Sequence, residues 1–157
     1  MNIVYGQATK QDIDELIRLR IAFIEDDHGP VTPQDKACIE QQLLSFLNRK
    51  LGTELIVFVA RDAGVIVSVV YLSILEMPAN CRLLNGLYGE VFSVYTLPEY
   101  RGQGLCTTLM QQLVEEAKSQ GLSCIDLRAT KQGYPIYKKL GFAETTHSYT
   151  DMRLELR

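Results

Sequence analysis

The sequence predicts a mixed α/β fold, a central sheet with helices packed on it. Three observations predict it. Two runs rich in β-branched residues, at 54–60 and 65–75, are separated by the turn-forming R-D-A-G of 61–64. Apolar residues recur at helical spacing over 11–25 and again over 105–120. Strands and helices then alternate through the second half, giving the order β-α-α-β-β-β-α-β-α-β-β.

Each element has its own signal. Residues 2–7 read as a short strand. Thr9 opens T-K-Q-D, a capping box in which Asp12 stands where Glu or Gln is usual. Ile13, Leu16, Ile17 and Ile24 line one side of the helix that follows, and E-D-D-H-G-P at 25–30 ends it. Thr32-Pro33 supplies an N-cap and a first-turn proline for a second helix carrying Ile39, Leu43, Phe46 and Leu47. The hairpin of 54–60 and 65–75 comes next, then a third long strand at about 88–96. A long helix over 105–120 keeps Leu105, Leu109, Leu113 and Ala117 on one side, and Gly121 stops it. A strand at 122–128, a short helix at 133–140 and, after Gly141, two final strands complete the chain. There is no repeat and no Pro/Gly/Ser-rich linker, so residues 1–157 read as one domain.

Composition narrows the function. Hydrophobic residues make up 46% of the 157 and charged residues 22%, the balance of a protein with a real core. The net charge of −3 argues against nucleic acid as a partner. No apolar run spans a bilayer and no secretory signal opens the sequence, so no membrane partner and a cytoplasmic location are expected. The 4 cysteines, Cys38, Cys81, Cys106 and Cys124, are widely spaced, with no metal-ligand pattern, and read as free thiols. No metal is expected.

The chemistry concentrates in V-Y-T-L-P-E-Y-R-G-Q-G-L-C-T-T-L-M at 94–110. A strand runs into Pro98, then Arg101-Gly102-Gln103-Gly104, and a helix starts at once. Glycines let the backbone turn tightly and let an anion approach the amides. The first turn of a helix has unpaired N–H groups and a partial positive charge. Together these suit a diphosphate, with Arg101 adding a permanent charge. The G-K-[ST] of a Walker loop is absent, and Thr107 stands where a dinucleotide fingerprint would place its third glycine.

This segment resembles the acetyl-CoA loop of the GNAT N-acetyltransferase superfamily, whose pattern is [RQ]-x-x-G-x-[GA]. Arg101, Gly104 and Cys106 occupy its fixed positions, with Cys106 replacing the usual Gly or Ala. Y-P-I-Y-K-K-L-G-F at 134–142 is similar to that family's A-x-x-x-Y-x-K-x-G-F segment. The resemblance covers 54–146 well and the helical N-terminus loosely. It implies the GNAT fold: a mixed, mostly antiparallel sheet of about seven strands with about four helices, splayed at the acetyl-CoA site.

The resemblance also implies roles. Acetyl-CoA is the co-substrate, and its pantetheine arm pairs with Val94 and Thr96, with Tyr95 between them. The diphosphate lies on the amides of Gln103, Gly104, Leu105, Cys106 and Thr107, with Arg101 and Gly102. Tyr137 is the general acid for the departing thiolate; a phenol near pKa 10 against a thiol near 8.5 suits that task. Tyr134 is held in reserve. Glu90, four residues before Val94, stands where the histone-modifying branch has its catalytic glutamate. An alkylammonium near pKa 10.4 must lose a proton before it attacks, and Glu90 or ordered water would take it. Strand alternation puts Glu90, Phe92 and Val94 on one face. Lys131, Lys138 and Lys139 are candidates for the ribose 3′-phosphate. The expected reaction moves an acetyl group onto a primary amine of a small molecule or peptide. The alternative is a catalytically silent acyl-CoA-binding sensor. Last-strand pairing would give a homodimer.

Overall fold

The computed structural model describes residues 1–157. Five strands form one sheet in chain order: β1 (Ile3–Gln7), β2 (Leu55–Asp62), β3 (Val65–Glu76), β4 (Leu87–Thr96) and β5 (Ile125–Leu127). Neighbours are antiparallel except β4 and β5, which run parallel. Helices α1 (Ile13–His28) and α2 (Pro33–Lys50) cover one face, and α3 (Leu105–Ser119) and α4 (Tyr134–Lys139) the other. The hairpin strands β2 and β3 are continuously buried over Leu55–Ala60 and Ile66–Leu72 because both of their faces are covered. Leu55, Val57 and Val59 pack toward α1 and α2, while Ile56, Phe58 and Ala60 pack toward α3. Leu16, Leu19 and Leu47 on one side and Leu109, Met110 and Leu113 on the other are fully buried. Each such side chain stabilises the fold by about 1.5–3 kcal/mol through burial.

Local signals set the boundaries. The Thr9 amide donates to Asp12 Oδ2 at 2.7 Å, and the Gln11 amide donates to Thr9 Oγ1 at 3.3 Å. The Asp35 amide donates to Thr32 Oγ1 at 3.1 Å at the head of α2. Ala63 and Gly64, at φ 49° and 85°, make the hairpin turn, where two successive positive φ values match the strand twist. Past α3, the Gly121 amide reaches the Lys118 carbonyl and the Leu122 amide the Ala117 carbonyl, closing the helix in a left-handed cap at φ 73°. One boundary differs from expectation. The first helix continues through Glu25, Asp26 and Asp27 to His28, and ends only at Gly29 with φ 86°. Nothing in those four side chains breaks a helix; Gly29-Pro30 does.

The strand count also differs from the expected seven. Residues 143–157 form no strand, although Met152, Leu154 and Leu156 alternate with charged residues; all three are at least 80% exposed. Alternation becomes a strand only where an edge receives it, and β5 is 3 residues long.

A bulge in β4 matters most for the site. Tyr71 opposes Phe92 and Val69 opposes Tyr95, so Val70 alone faces both Ser93 and Val94. Ser93 takes φ 51° to absorb the extra residue. The alternation reverses there. Phe92 and Tyr95 pack with α1, whereas Val91 and Val94 pack toward α3. The expectation that Glu90, Phe92 and Val94 share a face is therefore corrected: Val94 belongs to the opposite one.

Candidate active site

Parallel pairing of β4 with β5 involves only Gly89, Glu90 and Val91 against Ile125, Asp126 and Leu127. Beyond Val91 the outer edge of β4 has no neighbour strand, which is the splay expected from the sequence. On its inner edge the Leu97 amide donates to the Val67 carbonyl, so alternate residues back along the strand point outward. The Thr96 carbonyl points that way, since it accepts from Arg101 Nε at 2.9 Å. The Thr96 side chain is held by Ser68, Oγ1 to Oγ at 2.7 Å.

The loop after β4 begins with the single turn Pro98–Tyr100 and enters α3 through two left-handed glycines, Gly102 at φ 75° and Gly104 at φ 80°. No atom lies within 4 Å of where a Cβ would stand at either glycine. Backbone conformation, not crowding, demands them. The Arg101 amide closes onto the Pro98 carbonyl, and the Thr108 amide is the first of α3 to find a helical partner, at Gly104. Between them, the amides of Gly102, Gln103, Gly104, Leu105, Cys106 and Thr107 donate to no carbonyl or side chain of the protein. Leu105 is buried against the α3-side core and anchors this array. Such a row of unpartnered N–H groups at a helix head suits an anion.

Arg101 sits differently from a free phosphate ligand. Its Nη2 donates to Asp26 at 2.9 Å, and its guanidinium lies 5.6 Å from the Tyr95 ring centroid. Tyr95 in turn donates its hydroxyl to the same Asp26 oxygen at 2.8 Å, and its ring meets Phe23 edge-on at 5.8 Å. The Tyr95 hydrogen bond, then Arg101, holds the Asp26 carboxyl below its ordinary value. Burial, then Asp26, pushes the Tyr95 phenol up to about 12. Carboxylates at a helix C-terminus work against the helix dipole. Asp26 is kept there with two donors of its own. The expectation that 25–30 ends the first helix hides this link; the continuation of α1 to His28 brings Asp26 over β4.

Tyr137 is 7% exposed, and its ring packs edge-on to Phe142 at 6.0 Å. Burial, then the nearby Cys106, pushes its phenol up to about 12, and no hydrogen bond contributes. No buried side-chain polar atom lacks a partner, so this free hydroxyl reaches solvent space. Gly133, one turn earlier, would bring a Cβ to 2.8 Å from the Tyr137 ring, so the ring is seated where a side chain would otherwise be. Cys106 is half-buried, and burial pushes its thiol up to about 11. Desolvation thus outweighs the helix head, and the group is a neutral thiol. Tyr134 is turned outward to Glu144 at 2.9 Å.

Glu90 is exposed on β4, opposite Ser73 on one side and Asp126 on the other. It adjoins the last paired position, where the splay begins. The sheet separates its face from that of Tyr137, so the two groups meet only through the gap.

A strand edge left bare where β5 ends, beside a helix head with open amides, suits an extended chain that ends in an anion. The sequence profile described as Acetyltransferase (GNAT) family matches residues 18–142. The chain belongs to the GNAT acetyltransferase family. It is 30% identical over 118 residues to a glucosamine 6-phosphate N-acetyltransferase of Trypanosoma brucei brucei, covering 75% of this chain and 76% of that one. A crystal structure of a predicted acetyltransferase with acetyl-CoA from Clostridium acetobutylicum superposes with TM-score 0.84 at 29% identity, over 97% of this chain and 96% of that one. A GCN5-related N-acetyltransferase from Ralstonia eutropha shares the fold, with TM-score 0.78 at 20% identity over 96% and 99% of the two chains. No helix is long and apolar enough to cross a membrane.

Proposed function

We propose that the protein is an acetyl-CoA-dependent N-acetyltransferase acting on a primary amine of a small molecule or peptide. The observation that carries this reading is the row of open amides at 102–107 beside the bare edge of β4. The amides of Gln103, Gly104, Leu105, Cys106 and Thr107, with Gly102, hold the diphosphate of acetyl-CoA, and none of them is spent on a partner within the protein. Val94 and Thr96 present main-chain groups to the pantetheine arm, and a Val94 N–H donates to the carbonyl oxygen as charge grows on it. Tyr137, protonated throughout the neutral range, delivers its proton to the departing thiolate. Glu90 takes a proton from the incoming ammonium, directly or through water. Arg101 adds positive charge to the loop while bracing it against Asp26. The Trypanosoma relative, named for an aminosugar phosphate, supports a small-molecule acceptor.

The experiment is a turnover assay with acetyl-CoA, detecting free thiol, across amines, polyamines, aminoglycosides, amino acids and peptides. Amine-dependent thiol release is the expected result. Tight acetyl-CoA binding with no release across the panel would instead favour the silent sensor.

A further inference from the structure

Arg20 is a partly buried guanidinium without an acidic partner. It projects from α1 onto β4 at the bulge, where Nη1 donates to Ser93 Oγ at 3.2 Å. Its carbon lies 5.1 Å from the Phe23 ring centroid. No carboxylate oxygen comes within 4 Å of it; the arginine ion pairs go to Arg18, Arg61, Arg101 and Arg153. Asp27, the acid whose charge it feels, is paired with His28 Nε2 at 3.1 Å. Burial, the largest influence, depresses the guanidinium's own value, which marks a cation short of compensation. A guanidinium carries five N–H donors, and buried charges are normally paired.

Two hydroxyls share this place. Ser93 is 8% exposed and is the residue that the bulge forces to φ 51°. Tyr71 stands on β3 opposite Phe92 and is 2% exposed. Its phenol is raised by burial and lowered by Arg20, and no hydrogen bond contributes. Since no buried side-chain polar atom lacks a partner, the Tyr71 hydroxyl opens to solvent space. Arg20 and Ser93 thus meet on the α1 side of β4, at the residue before Val94, with the Tyr71 ring 5.4 Å from that of Phe92 and its phenol within reach of the Arg20 charge.

We propose that Arg20, Ser93 and Tyr71 form a subsite for an oxyanion, a phosphate or carboxylate, carried by the acceptor amine. This deepens the acetyltransferase reading and rests on it. The amine enters on the α1 face, its anionic group takes the unused donors of Arg20, and its nitrogen is set beside the splay. A planar fork holds a tetrahedral or planar oxyanion with two parallel hydrogen bonds, which a lysine cannot do. The group also supplies the countercharge that the protein withholds from Arg20.

The test uses matched acceptors in the intact protein: glucosamine 6-phosphate against glucosamine, and an amino acid against its amide. The ratio of kcat/KM, anionic over neutral, is expected to exceed about tenfold in at least one pair, and the pair that shows it identifies the oxyanion. Arg20→Gln should lower that ratio about tenfold or more, and Arg20→Lys should restore only part of it. A ratio near one in the unaltered protein, or one that Arg20→Gln leaves intact, overturns the subsite. If Arg20→Gln does not fold, Tyr71→Phe removes a single oxygen and must still lower the ratio; an unchanged ratio overturns the proposal equally. A protein that binds no acetyl-CoA refutes the enzyme reading by itself. The subsite is then judged by the Arg20 Nε–H resonance, which must shift with glucosamine 6-phosphate and not with glucosamine.

Discussion

Tyr95 and Arg101 both donate to Asp26, so one carboxylate ties the end of β4 and the loop after it to the end of α1. The three residues close a bracket around the neck of the loop. Because the folded carboxyl titrates below its ordinary value of 3.8, the contact's contribution is full above that value. It is lost as pH falls through the lower folded value. Asp26→Asn should therefore flatten the acid side of the stability profile below about pH 4. Melting temperatures of both proteins across that range check this; parallel curves would mean the bracket adds no stability.

Reversing the charge at the loop tests its anion. Arg101→Glu should weaken acetyl-CoA binding about tenfold or more by calorimetry. It also places two carboxylates together at Asp26, so the Asp26→Asn protein serves as the control for lost bracing. Unchanged affinity would mean that the main-chain amides do not face a diphosphate.

Removing the Tyr137 hydroxyl should cost turnover and spare binding. Tyr137→Phe is expected to lower kcat by about a hundredfold or more, with the acetyl-CoA dissociation constant held within about twofold. Since burial keeps this phenol near 12, it stays protonated as pH rises, and no fall in kcat below about pH 11 should trace to it. A normal kcat in the variant would remove Tyr137 as the acid.

Glu90→Gln should depress activity most at low pH, where the amine holds its proton hardest. The pH–rate profiles of the two proteins give the answer, and superimposable profiles would leave proton removal to water.

The raised value of Cys106 makes a chemical prediction. With its thiol near 11, alkylation by iodoacetamide at neutral pH should be far slower than at exposed Cys38 and Cys81. Mass mapping over time measures the order. Early modification of Cys106 would show that the helix head outweighs burial.

Much of the fold was legible because its signals are local. Thr9 and Asp12 close a cap between neighbours in sequence, Ala63-Gly64 can scarcely be anything but a tight turn, and Gly121 has no competitor as the stop of α3. The loop was legible for the same reason, as two glycines placed just before a helix constrain the backbone directly. What escaped depends on partners far along the chain. Asp26 looks like any solvated acid until α1 delivers it to Tyr95, which lies 69 residues on. Arg20 is one of several arginines until it lands on Ser93, 73 residues on. Nothing in V-F-S-V announces a bulge, because serine has no special liking for φ 51°. The two closing strands expected after Gly141 do not form, because the alternation at 152–157 says how a segment would pack and nothing about whether a neighbour is there.

The extra residue at Ser93 gives β4 a parity. Upstream and downstream halves of one strand obey opposite rules for which side chain looks at which helix layer. Deleting either Ser93 or Val94 would let the ladder run true, with Tyr95 still opposite Val69 on the α1 side. The strand thus carries one residue more than its partner without exchanging the two sides of anything beyond it, whereas a one-residue change elsewhere in β4 that no bulge absorbed would exchange them.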